Sequence, residues 1–289
     1  MEMLLNHNNL LISQSVERQY DLQNVNGISF IYAPSDSDDE RLCYNVLDRR
    51  NEIITKVFEI GHLIEKNIKD DEYSPNFTRR NLLLYRSSIV RLADERYLFF
   101  LDGELKESLL EMAYTFTVNF GTLGLMQVNK SFYRSTIMAC RDFLEENDIS
   151  AKPYSITPVG FMLDELYNFY YHYKYPKKSL KKINETLAET HVKVHSTSIF
   201  ANLQVVASYD GISQWNYMCY SKTLLDGIAF ILISFASSNS EYIKQCAYCD
   251  KHFITNNERS IYCSPTCRNR INVKKSYEKR KLKIQKDSE

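Results

Sequence analysis

The sequence predicts an α+β protein with a predominantly α-helical body, a small antiparallel hairpin and a C-terminal, treble-clef-like zinc finger that ends in a basic helix. Three observations predict this fold: apolar residues recur at helical spacing through much of the chain, four cysteines crowd together near the C-terminus, and the last residues are rich in Lys and Arg. We therefore expect an acidic body over residues 1–240 and a finger over residues 241–289.

Length and composition exclude several classes of protein. The 289 residues, of which 44% are apolar and 25% charged, are typical of a globular chain. The longest apolar run, residues 228–233, is far shorter than the roughly 20 residues that span a bilayer, and the start of the chain lacks the charged leader of a secretory signal. We expect a cytoplasmic protein with no membrane partner. Only 8 glycines argue against a nucleotide-binding α/β fold, which needs glycine-rich phosphate loops.

The body is predicted to be mostly helical. Over residues 38–69, apolar side chains recur at spacings of three, four and seven behind an acidic run, which is typical of a long amphipathic helix. Similar periodicity predicts further helices at residues 105–116, 133–144, 162–173 and 224–235, the last leading to a linker at 237–240. Strand patterns are few and cover residues 28–33, 192–195, 202–208 and 214–219, the last two joined through an Asp-Gly turn.

Four of the 7 cysteines form a metal-binding pattern. They follow the spacing C-x-x-C, thirteen residues, C-x-x-x-C, and are Cys246, Cys249, Cys263 and Cys267. Two close pairs separated in this way aim four thiolates at one tetrahedral ion, so we expect a single Zn²⁺. Disulfides within the close pairs would form strained small rings. His252 is a competing ligand, but four thiolates suffice, and we expect it at the surface or beside the ligands.

The remaining cysteines and histidines favour structural roles. Cys43, Cys140 and Cys219 stand far apart, and we expect them to be small buried apolar residues. His191 and His195 are four residues apart in a strand-like stretch, so they would face the same side and could bind a metal. Neither is directly next to an acid or a cysteine, so we expect exposed or partly buried strand positions instead. The aromatic run at residues 167–175 has helical spacing, which favours core packing over a ligand pocket.

The residues around the cysteines predict the local structure of the finger. Residues 253–255 and 260–262 predict the two strands of a hairpin. Ser264 is suited to cap a helix, and Pro265 is suited to its first position, which places Cys267 in the first turn. The helix should continue to about Lys283.

The net charge of zero hides an asymmetry. Residues 244–289 carry 12 Lys or Arg against 5 Asp or Glu. Because the whole chain is neutral, the preceding residues must carry an equal excess of Asp and Glu over Lys and Arg. On the predicted helix Val273, Tyr277 and Ile284 form a narrow apolar stripe with cations on both flanks, as expected for a helix lying along phosphates. The candidate nucleic-acid contacts are Arg268, Asn269, Arg270, Lys274, Lys275, Lys279, Arg280, Lys281 and Lys283.

These residues resemble a known finger. Cys246-Ala-Tyr-Cys249, Phe253 and the run from Tyr262 to Arg270, followed by a basic helix, resemble the CGNR-type zinc finger of bacterial proteins, named for a Cys-Gly-Asn-Arg run at its last ligand. Cys267, Asn269 and Arg270 match that run, and Arg268 stands where the family has Gly. The resemblance covers about residues 244–284 and implies a DNA-binding element of a transcription regulator. In that family an ABATE-type helical domain precedes the finger. The body of this chain resembles that domain in architecture only.

Two classes of function stay open. The first is a zinc-dependent, DNA-binding bacterial transcription regulator, whose body binds a small-molecule effector or forms a homo-oligomer. The second is a protein-interaction module, in which the finger is structural and the basic helix docks on an acidic partner or on the acidic body. Because the sequence contains none of the motifs G-x-S-x-G, G-x-G-x-x-G, H-E-x-x-H or the Walker loop, we expect no enzymatic activity and keep an enzyme in residues 1–240 only as a reserve hypothesis.

Overall fold

The computed structural model describes residues 13–25, 28–35, 42–67, 103–124, 131–152, 155–175, 203–209, 215–221, 223–237 and 240–286. These residues form a mixed α+β structure, mostly helical with small antiparallel sheets, and a cluster of four cysteines is followed by a C-terminal helix. The predicted fold class is confirmed. The chain divides into two compact units, Met1–Ile233 and Ser234–Glu289, which are described separately below.

Fifteen elements are present among the described residues. The helices are α1 (Arg50–Asn67), α2 (Gly103–Phe120), α3 (Ser131–Glu146), α4 (Val159–Lys174), α5 (Leu224–Ser237) and α6 (Pro265–Lys286). The strands are β1 (Ser13–Val16), β2 (Asp21–Val25), β3 (Ile28–Tyr32), β4 (Leu42–Asn45), β5 (Thr157–Pro158), β6 (Leu203–Tyr209), β7 (Trp215–Ser221), β8 (Tyr242–Gln245) and β9 (His252–Thr255).

All the described sheets are antiparallel and small. Strand β1 pairs with β4, and β3 lies between β2 and β5. Strands β6 and β7 pair over seven residues each, from Leu203 opposite Ser221 to Tyr209 opposite Trp215, as the pattern at residues 202–219 predicts. The predicted strand at 192–195, with His191 and His195, lies outside the described residues, as does Cys219's side chain.

One predicted helix begins later than its pattern indicates. Helix α1 starts at Arg50, and residues 42–45, which the prediction places in that helix, form strand β4. The side chain of Asn45 accepts a hydrogen bond from the Leu47 amide at 3.2 Å, and its carbonyl accepts one from the Asp48 amide at 3.0 Å, so a turn ends the strand before the helix begins. The acidic run at 36–40 lies outside the described residues.

The core of the first unit lies between helices α1 and α4. Each turns a buried apolar face to the other, and the Phe58 and Tyr170 rings meet edge to face with centroids 5.3 Å apart. A Cβ atom at Gly61 would overlap the Tyr170 ring, so glycine is what allows this close approach. The buried tyrosines confirm that the aromatic run of α4 is core: Tyr167, Tyr170 and Tyr171.

The isolated cysteines differ in their environments. Cys140 is fully buried in α3, as predicted. Cys43 is exposed, so its predicted burial is wrong. It lies in β4, which among the described strands pairs with β1 alone, and a two-stranded sheet leaves one face open to solvent.

Candidate metal centre and basic helix

The first cysteine pair lies in the turn of a hairpin. Strands β8 and β9 pair from Tyr242 opposite Thr255 to Gln245 opposite His252, and the six residues between them hold Cys246 and Cys249. The Cys246 amide donates to the Lys251 carbonyl at 2.9 Å, and the Asp250 amide donates to the Cys246 carbonyl at 3.0 Å. These bonds close a tight knuckle that turns two thiols to one side.

This hairpin differs from the predicted one. Residues 253–255 form a strand as expected, but they pair with β8, and residues 260–262 form no strand. Instead, Asn257 organises a turn: its side-chain oxygen accepts from the Arg259 amide at 2.9 Å, and its carbonyl accepts from the Ser260 amide at 3.0 Å. The Ala247 amide then donates to the Ile261 carbonyl at 2.9 Å, which joins the returning segment to the knuckle.

The second cysteine pair lies at the start of helix α6. The Ser264 hydroxyl accepts a hydrogen bond from the Cys267 amide at 3.2 Å, so Ser264 caps the helix and Pro265 is its first residue. This confirms the predicted cap and places Cys267 in the first turn. The helix N-terminus favours negative charge, which stabilises a thiolate there.

The four sulfurs converge on one point. All four Sγ atoms lie within 4.8 Å of one another, with Cys249 and Cys263 3.6 Å apart and Cys263 and Cys267 3.5 Å apart. A tetrahedral ion with metal–sulfur bonds of about 2.3 Å places its sulfurs about 3.8 Å apart. The group therefore fits a single metal ion. His252 is not part of the group, as predicted. It is buried at the start of β9, so the surface position that was one of its two predicted places is wrong.

The thiols of this cluster differ in acidity. Burial opposes ionisation of Cys246, but hydrogen bonds from the backbone of Cys263, Cys249 and Tyr248 lower its pKa to about 6. Burial, together with hydrogen bonds to the neighbouring sulfurs, raises the pKa of Cys263 to about 12. These two thiols thus differ in how readily they ionise, and a divalent cation bound to the cluster would favour the thiolate form that metal ligation requires.

Asp250 has an uncommon backbone conformation in the knuckle. Its φ of 56° lies in the left-handed region, which disfavours side chains with a Cβ but is tolerated best by Asn and Asp after Gly. Cys246 and Cys249 lie in the same turn, and the chain reverses direction just after Cys249 to enter β9. Asp250 stands at this reversal, which accounts for its conformation.

Helix α6 presents a dense positive surface. It holds nine Lys and Arg against one Glu, and its mean hydropathy is low. The predicted nucleic-acid contacts whose side chains the structure describes are all exposed: Arg268, Asn269, Arg270, Lys274, Lys275, Lys279, Arg280 and Lys281. Lys283 belongs to the helix, but its side chain lies outside the described residues.

The two described side chains of the predicted apolar stripe of α6 lie in solvent. Val273 and Tyr277 are each 70% exposed, so neither packs on the finger. Within the knuckle Tyr248 is 38% exposed, and the Arg270 guanidinium lies over its ring, 5.9 Å from the centroid. The sequence indicates no role for Tyr248, whose only signal is that an aromatic residue stands between two ligand cysteines.

A second cluster of ionisable residues joins α1 to α4. The Glu65 carboxylate accepts hydrogen bonds from the Tyr170 hydroxyl at 2.5 Å and from the Lys174 ammonium at 2.8 Å. Burial opposes the charge on Glu65, but the hydrogen bonds from Lys174, Tyr170 and Tyr175 hold its pKa below its usual value, whereas burial and Glu65 raise the pKa of Tyr170. The cluster fastens two core helices, and its arrangement suits a structural role.

Among the described residues no helix is long and apolar enough to cross a membrane. Comparisons of the chain with protein-family models, with curated proteins and with solved structures found no match.

Proposed function

We propose that the C-terminal unit is a zinc-dependent DNA-binding element and that the protein is a bacterial transcription regulator related to the CGNR type. One Zn²⁺ on Cys246, Cys249, Cys263 and Cys267 would hold the knuckle against the first turn of α6. The observation that supports DNA as the ligand is the exposure of the cations along a helix whose N-terminus this cluster anchors. Such a helix is suited to lie against phosphates.

The residues of α6 fall into two roles in this proposal. Asn269 and Arg270, next to the anchored end, approach base edges or the inner phosphates, since Arg pairs with guanine and Asn with adenine through two hydrogen bonds. The residues farther along the helix contact phosphates and fix position without reading sequence: Lys274, Lys275, Lys279, Arg280, Lys281 and Lys283. Arg268 adds a further cation at the position where the CGNR family has Gly.

The body would then serve as the sensing part. We propose a small-molecule effector or self-association for residues 1–240 and no catalytic role, because the described ionisable cluster around Glu65 is a packed link between helices. Measuring the oligomeric state in the absence of DNA would test self-association independently of DNA binding by the finger.

A duplex-DNA titration across salt concentrations tests the main proposal. If about six phosphates are engaged, the logarithm of the affinity should fall against the logarithm of salt with a slope of about −5. Cys263→Ser should abolish binding and lose the metal, and Arg270→Ala should weaken binding while the metal stays. Lys66→Ala removes an exposed cation of the other unit and should change nothing. A flat salt response, or purified protein without a stoichiometric transition metal, would refute the proposal.

A second candidate is a protein-interaction module in which the finger is a structural element. The exposure of Val273 and Tyr277 favours it, because phosphate contacts do not need an apolar pair in solvent. In that case α6 docks on an acidic partner or on the acidic body. Deletion of residues 241–289 would then expose the body to proteolysis or change its oligomeric state, and the intact protein would bind no DNA.

A further inference from the structure

Two tyrosine rings of the C-terminal unit are open to solvent beside cations. Tyr277 is 70% exposed in the middle of α6, and Tyr248 is 38% exposed in the knuckle. A tyrosine hydroxyl can donate a hydrogen bond to a phosphate oxygen, but that contact uses the edge of the ring and leaves its exposed faces without a role. The rings therefore indicate a ligand that offers flat apolar faces as well as negative charge.

The rings and cations fall on one line. At about 100° per residue, Arg270, Lys274, Tyr277 and Lys281 lie within about 60° of one another around α6. Tyr248 lies beside the Arg270 end of this line, since the Arg270 guanidinium lies over its ring. We call these five residues the tyrosine–cation stripe. From Arg270 to Lys281 the helix rises about 16 Å, the length of about five stacked nucleotides.

We propose that the tyrosine–cation stripe binds single-stranded nucleic acid, with unpaired bases stacked on Tyr248 and Tyr277 and phosphates on Arg270, Lys274 and Lys281. The inference rests on the proposed function, because it assigns a second form of nucleic acid to the same basic helix. In a duplex the faces of the bases are covered by their neighbours, whereas an unpaired strand offers them to exposed rings.

Other occupants fit these observations less well. A second copy of α6 would bring two strongly positive helices together, and their charges would repel. An acidic peptide would satisfy the cations, but its carboxylates offer no flat faces to stack on the exposed rings of Tyr248 and Tyr277, whereas unpaired bases do.

The test uses the full chain loaded with zinc and fluorescence anisotropy. The probes are labelled oligothymidylate of about 12 nucleotides and a duplex of the same length. Tyr277→Ala and Tyr248→Ala should each weaken single-strand binding roughly 5- to 150-fold and duplex binding less than about twofold. Tyr277→Phe keeps the ring and should keep the affinity. Val273→Ala, the matched control on the same helix, should leave both affinities unchanged.

Each other outcome has a defined meaning. Equal weakening of both probes, an equal effect of Val273→Ala, or competition by polyglutamate as strong as by oligothymidylate would overturn the stacking inference. Salt-dependent duplex binding with no effect of either alanine variant would overturn this inference and leave the proposed function intact. Binding to neither probe would overturn the proposed function itself. If Tyr248→Ala loses zinc, Tyr277→Ala decides, because its exposed side chain supports no packing.

Discussion

Removing the Ser264 cap should weaken zinc binding by a predictable amount. The Ser264 hydroxyl accepts the hydrogen bond of the Cys267 amide at 3.2 Å and lies 3.9 Å from the Cys263 sulfur. Loss of a helix cap costs about 1 kcal/mol, and metal binding to a small finger is coupled to its folding. Ser264→Ala should therefore raise the dissociation constant for zinc about fivefold.

The measurement is a competition for zinc between the protein and a chromophoric chelator. Ser264→Thr keeps a hydroxyl cap and should stay within about twofold of the original affinity. Ser276→Ala removes an exposed serine from the middle of the same helix, where alanine is the better helix former, and should not weaken binding. An unchanged affinity in Ser264→Ala, or an equal loss in Ser276→Ala, would refute the cap as the device that holds Cys267.

Three further predictions concern other parts of the chain. Gly61→Ala should lower the free energy of unfolding in urea by about 1–3 kcal/mol, because its Cβ would overlap the Tyr170 ring, although alanine is the better helix former. The pKa of Glu65 lies below its usual value of 4.5, so the ionised carboxylate stabilises the fold at pH values above 4.5. This stabilisation should be lost as the pH falls through the pKa of the folded protein, and Glu65→Gln should lose less stability over the same pH range. Asp250→Val should weaken zinc binding by about 1–2 kcal/mol, since a branched side chain is strained at a φ of 56°, and Asp250→Gly should not.

These three predictions have clear contrary results. A stability gain in Gly61→Ala would mean that helix propensity outweighs the contact with Tyr170. Parallel acid-unfolding curves for Glu65→Gln and the original protein would show that the carboxylate contributes nothing to pH dependence. Equal zinc affinities for Asp250→Val and Asp250→Gly would show that the knuckle adopts another backbone conformation when metal is bound.

Sequence patterns correctly predicted the features that depend on residues close together in the chain. The helices that contain Leu109, Leu144 and Leu166 follow from apolar spacing alone, because an amphipathic face repeats every three or four residues. The metal cluster follows from cysteine spacing, and the cap from the pair Ser264 and Pro265. These features need no knowledge of distant contacts.

Features that depend on pairing between separate segments were missed. Strands β1, β2 and β8 have only four or five residues, too few for an alternating pattern to stand out. Because β9 pairs with β8, the hairpin encloses the first cysteine pair, whereas the predicted hairpin lay between the two cysteine pairs. The contact between Tyr248 and Arg270 and the φ of Asp250 arise only once the knuckle is folded, so spacing could not predict them.

Helix α6 carries a ligand cysteine in its first turn, and its described side chains from Asn272 to Lys281 are exposed, so the helix resembles a rod held at one end. From Cys267 to Lys286 the helix extends about 28 Å, so a tilt of about 10° at the held end moves the far end by about 5 Å. That displacement exceeds the 3.4 Å rise between stacked bases. If α6 binds nucleic acid as we propose, the coordination geometry at the sulfurs would set which nucleotide the distal lysines reach, and exchanging zinc for a larger thiophilic ion should shift the footprint before it abolishes binding.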